Sequence, residues 1–166
     1  MSPPTDYYML VTSLPYMPRT FQVERVPISR LRLAERLRLL SQADANVVDQ
    51  VQQFLQWDRQ PTARSDQEVQ QEYDRLMGPI SNPLVRRIIE YRMDVRTITS
   101  ALRRRRLGMA APTGVGQWVS HIGSNWDHDD FRLAREHPWI SHVLSALAAN
   151  DPLEVERLLL HATWTE

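Results

Sequence analysis

The 166-residue chain has no cysteine. Disulfides, thiolate nucleophiles and cysteine zinc sites are therefore excluded. It has no lysine either, so all 20 basic side chains are arginine. A GC-rich coding bias accounts for that choice. So does a need for the planar guanidinium fork, which grips carboxylates at two points in partly buried contacts. The same number of acidic residues brings the formal net charge to zero, and no whole-molecule field draws in polyanions. A local basic patch remains compatible with that balance. No apolar run approaches the ~18 residues of a membrane span. "YYMLV" at Tyr7–Val11 lacks a basic flank and is too short for a signal peptide. The expectation is a cytoplasmic protein, which does not exclude a peripheral place in a membrane complex.

Catalytic signatures are missing as well. "TGVGQW", residues 113–118, holds two glycines but lacks the Gly-Lys-Ser/Thr of a phosphate loop, and no strand precedes it as a dinucleotide site requires. Thr113 reads instead as a helix N-cap behind a tight loop. There is no Gly-x-Ser-x-Gly and no recognisable nucleophile–base arrangement. No catalytic residue, metal ligand or cofactor is assigned.

What is present is helical. Hydrophobic residues make up 42% and charged residues 24%, an ordinary composition for one globular domain. The expected class is all-α, a compact multi-helix bundle with one long central helix. Three segments are expected within the domain. Residues 1–27 form a Pro-rich, extended or irregular N-terminal segment, residues 28–108 a first helical half, and residues 109–166 a C-terminal helical half. In the first half, Ser29 and Ser41 precede apolar residues at helical spacing, and "SDQE" at Ser65–Glu68 is a capping box. The clearest element runs from Pro83 to Leu107. Asn82 caps it, Pro83 takes the first helical position and Gly108 stops it. Leu84, Ile88, Tyr91, Val95, Ile98 and Leu102 form its expected inward stripe. In the second half, residues 115–122, 127–137, 139–149 and 152–164 read as shorter helices.

Four features invite a functional reading. His121, Asp127, His128, Asp129, Asp130 and His137 lie close in sequence, yet no helix-borne i, i+4 ligand pair is formed. Aspartates there also suit a helix N-terminus. The tryptophans at 57, 118, 126, 139 and 164 sit among aliphatics as core residues do; Trp164 either docks the terminus or anchors a partner. "SRLRLAERLRLL" (29–40) has the basic amphipathic pattern of a core helix or of a surface- or groove-binding one. Finally, Arg92, Arg96, Arg103, Arg104, Arg105 and Arg106 have no acidic residue three or four positions away within the long helix. Cations at a helix C-terminus gain roughly 0.3–1 kcal/mol each from the dipole, which explains one or two of them. The remaining readings are a solvated or internally paired face, a surface for an acidic protein partner, and an RNA- or DNA-binding module built on Arg103–Arg106. The absence of interleaved aromatics disfavours the last.

"DVRTITSALRRRRLG" (Asp94–Gly108) resembles a helix motif of the C-type subunit of V/A-type rotary ATPases, whose eukaryotic counterpart is the d-type subunit. That motif has Asp, two residues, Asn, four residues, Leu-Arg, then a basic residue and Gly. Asp94, Leu102, Arg103, Arg105 and Gly108 match, and Thr97 stands where the motif has Asn. "YYMLVTSLP" and "NDPLEVERLLLHATW" also resemble a bacterial family of unknown function encoded beside V-type ATPase genes. The resemblance implies a helical, non-catalytic adaptor without a cofactor. Its partners would be ATPase stalk and rotor-ring subunits rather than nucleic acid, and it would lie in a cytoplasmic complex peripheral to the membrane. Arg92, Arg96 and Arg103–Arg106 would meet those partners.

Overall fold

Asn82 and Pro83 launch the longest helix as their chemistry requires. In the computed structural model, which describes residues 7–17, 25–56 and 64–165, the Asn82 side chain accepts hydrogen bonds from the amides of Leu84 and Val85. The helix runs from Pro83 to Arg106, 24 residues. Its end is a Schellman closure: Gly108 takes φ +65°, its amide bonds Arg105 O at 3.0 Å, and the Met109 amide bonds Arg104 O at 2.9 Å.

Every regular element among the described residues is helical. The order is α1 (Tyr8–Ser13), α2 (Arg30–Leu37), α3 (Gln42–Leu55), α4 (Asp66–Met77), α5 (Pro83–Arg106), α6 (Val119–Ser124), α7 (Trp139–Ala148) and α8 (Pro152–Thr165). The all-α expectation holds. The chain divides into two compact units, Met1–Gln53 and Phe54–Glu166, with the boundary inside α3.

In the first unit, Tyr8–Ser13 is helical where the Pro-rich segment was expected to be extended or irregular. Prolines flank this stretch without interrupting it. Thr12 and Ser13 turn their hydroxyls back onto the carbonyls of Tyr8 and Leu10, which holds a single helical turn closed. Tyr7 donates to Asp44 and accepts from the Ser41 amide at 3.1 Å, tying the start of α1 to the start of α3. The Tyr7 and Ser41 hydroxyls hold the Asp44 carboxyl below its ordinary range. Ser29 caps α2 as expected. However, α2 buries none of its residues, and Leu31 is 73% exposed, so it is not a core helix. Leu10 is the one buried hydrophobic residue described in this unit.

The second unit holds the rest of the buried core. Ser65 and Glu68 form the expected capping box on α4. Arg86 donates to Met77 O at 2.7 Å and Ile80 O at 3.0 Å, which fixes the turn from α4 to α5. A core cluster gathers Ile98 and Leu102 of α5, Ile122 of α6, Phe131 and Leu133, Ile140 and Val143 of α7, and Val155 of α8. Tyr91 of α5 donates to Ala162 O of α8 at 2.9 Å.

Three local expectations give way here. Residues 125–137 are not a helix but a chain of turns, closed by bonds such as His128 N to Asn125 O and Phe131 N to His128 O. Phe131 and Arg132 adopt φ +53° and +57°, which a right-handed helix cannot accommodate. That reversal sends Phe131 fully into the core, where it stacks on Trp126 with ring centroids 5.4 Å apart. Thr113 does not cap α6; its hydroxyl bonds Asp66, and α6 has no side-chain cap. Lastly, the inward stripe of α5 starts later than expected. Leu84 and Ile88 are exposed, whereas Ile89, Met93 and nearly everything from Asp94 to Leu102 is buried.

Candidate functional site

Burial along α5 defines the site by subtraction. Between Met93 and Leu102 the helix is covered almost all round, and Arg96 and Ser100 are the two positions left partly open. Arg92, Arg96, Thr99 and Arg103 stand at i, i+4, i+7 and i+11, which brings them within a narrow stripe about 16 Å long. They line one open groove between α5 and α8 of 770 Å³. Its far wall includes Leu159 and Leu160 of α8, and Leu160 is 37% exposed. Asp66 and Glu156 line it too, against the four arginines Arg92, Arg96, Arg103 and Arg104. Burial depresses the basicity of Arg96, and Asp66 partly restores it. The Thr99 hydroxyl is buried and has no hydrogen-bond partner among the described residues.

The structure thus splits the six arginines singled out in the sequence. Arg105 donates to Asp127 O and to the Asp129 carboxylate, each at 2.9 Å. Arg106 donates to Leu147 O at the end of α7 and, at 3.4 Å, to Asn150. Arg104 reaches Ala111 O at 3.4 Å. These three grip the fold itself. Arg92 and Arg103 make no such bond among the described residues, and Arg103 is exposed. The four-arginine run is therefore not one patch.

Asp94 lies on the opposite side of α5 from that stripe and Thr97 at the edge of the groove, and both hold the loop before α6. Asp94 accepts from the Gln117 backbone amide at 3.0 Å and from its side-chain amide at 3.1 Å. Thr97 donates to Val115 O. The loop comes this close because its contact points are glycines. A Cβ on Gly116 would overlap the Asp94 carboxylate, and Gly116 has φ +129°; a Cβ on Gly114 would press on the Thr97 hydroxyl at 3.0 Å. Asp94 is 2% exposed. Burial pushes its carboxyl up to about 6, against the two Gln117 bonds, with Glu90 adding to the rise. The sequence held a signal for this clamp: two polar residues one turn apart within an apolar stretch, and a Gly-x-Gly downstream.

Leu102 is core, Gly108 is the helix stop, and Trp164 is half-buried on α8. Trp57 lies outside the described residues. Trp118 and Trp139 flank His137 with ring centroids 5.6 and 5.9 Å away, lining a second concavity of 550 Å³ with Tyr91 and Asp94. Their indole N–H groups are buried without a partner among the described residues. The histidines and aspartates of 121–137 are dispersed. His121 bonds Phe131 O, His128 accepts from Arg132, Asp129 pairs with Arg105, and Asp130 accepts from the Arg132 amide. No group of three or more His, Asp or Glu among the described residues could hold a metal ion.

No protein-family model, no curated protein and no solved structure matches the chain.

Proposed function

We propose that this protein is a non-catalytic adaptor that binds another protein through the α5–α8 groove, and that the partner belongs to a V/A-type rotary ATPase. The observation that carries the adaptor reading is the split of the arginines. Arg104–Arg106 are used inside the fold, whereas Arg92 and Arg103 remain on an open, apolar-backed groove. Guanidinium forks presented this way suit partner carboxylates, which they bind at two points and orient. The rotary-ATPase assignment rests on the resemblance of Asp94–Gly108 to the helix motif of the C-type adaptor. By that likeness the protein links the central stalk to the rotor ring on the cytoplasmic face, as a peripheral member of the ion-pumping complex. No described helix is long and apolar enough to cross a membrane, so attachment through other subunits fits.

The test is affinity capture of the tagged protein from its own cells under mild detergent. Stalk or ring subunits are expected in the wild-type eluate and depleted when Arg92 and Arg103 are both changed to Glu. An eluate free of ATPase subunits removes the rotary-ATPase assignment. Retention of nucleic acid with a steep salt dependence would favour the alternative RNA- or DNA-binding module.

A further inference from the structure

The groove has two chemically different walls, and together they specify an occupant. On α5, Arg92, Arg96 and Arg103 repeat at one helical face over about 16 Å. On α8, Leu159 and Leu160 offer an apolar edge, with Leu160 37% exposed. A trough between two helices is where a third helix packs, at interaxial distances of about 8–10 Å. An extended peptide could present carboxylates at similar intervals. Its backbone N–H and C=O groups would find no strand edge to pair with, because the described residues contain none. A polynucleotide would meet the arginines but gain little from the leucines, which offer its bases no aromatic face to stack on.

We infer that the groove receives an acidic amphipathic helix of a partner protein, with carboxylates at i, i+4 and i+11 on Arg92, Arg96 and Arg103 and an apolar side on Leu159 and Leu160. The inference rests on reading this groove as the docking surface, but it does not depend on which complex supplies the partner. The helix closes a three-helix layer, and its carboxylates set the register along α5.

The full-length protein is titrated into a fluorescein-labelled peptide of about 18 residues built from Glu, Leu, Ala and Gln in that pattern, followed by anisotropy. Saturable binding is expected. Arg92→Glu with Arg103→Glu should weaken it by on the order of tenfold or more, and Leu160→Glu by a similar factor. Thermal melts of the variants should match wild type, since neither arginine hydrogen-bonds another part of the fold among the described residues. If charge reversal lowers the melting temperature, Arg92→Gln with Arg103→Gln carries the comparison. Equal binding of a shuffled peptide of identical composition overturns the inference. So do an undiminished affinity in the arginine variants and a tighter hold on oligouridylate than on the peptide. The two readings fail separately. Peptide binding without ATPase subunits in the capture eluate leaves the groove inference standing and removes the rotary assignment. Capture of those subunits without peptide binding does the reverse.

Discussion

At the scale of single residues, Asp94 carries the most distinctive chemistry. Its carboxyl is buried, and in the fold it is shifted upward from 3.8 to about 6. The neutral form is the one the fold prefers. Its contribution to stability is therefore fully present below pH 3.8 and lost as pH rises through about 6. The shift corresponds to about 3 kcal/mol. Asp94→Asn keeps an oxygen for the Gln117 amide and removes the titration. Its stability relative to wild type should rise by up to about 3 kcal/mol between about pH 4 and 7, measured by urea unfolding at a series of pH values. A difference that stays flat across that range would show that Asp94 does not titrate in the window its burial dictates.

Among elements, α5 is where sequence and structure agree and part most instructively. Its start and stop were legible because Asn82, Pro83 and Gly108 act locally, through capping and backbone freedom. The class of α4 and α8 was legible for the same reason, and that of α7 from the spacing of its apolar residues. Its buried face was not fully legible. Periodicity marks one stripe, but α5 is covered on several sides from Met93 to Leu102, and only tertiary packing decides which positions stay open. The turns at 125–137 were missed because positive φ at Phe131 and Arg132 has no glycine to announce it. The groove was half legible: the arginines stood out, but not which of them the fold consumes. That division makes a stability prediction. Arg103→Ala should change unfolding free energy by less than about 0.5 kcal/mol. Arg106→Ala should cost about 1 kcal/mol, because Leu147 O and Asn150 lose a charged donor. Equal effects in denaturant melts would contradict the division.

For the whole molecule, the two units are unequally buried. The described residues of Met1–Gln53 bury Leu10 alone among hydrophobics, whereas Phe54–Glu166 holds every other buried hydrophobic side chain described. All five tryptophans also fall in the second unit. A region with little buried apolar surface opens at low free energy. Helix content followed by far-ultraviolet circular dichroism should therefore begin to fall at lower denaturant than tryptophan fluorescence changes. Coincident transitions would mean that the chain unfolds as one cooperative body.

The placement of the clamp and the arginine anchors has a mechanical consequence. Near its middle, α5 is held at Asp94 and Thr97 by the 113–117 loop, and at its last turn by Arg105 and Arg106. Of the arginine stripe, Arg96 lies within the first support and Arg103 between the two. A pull applied through Arg96 or Arg103 therefore enters α5 at or between two points already tied to the rest of the second unit.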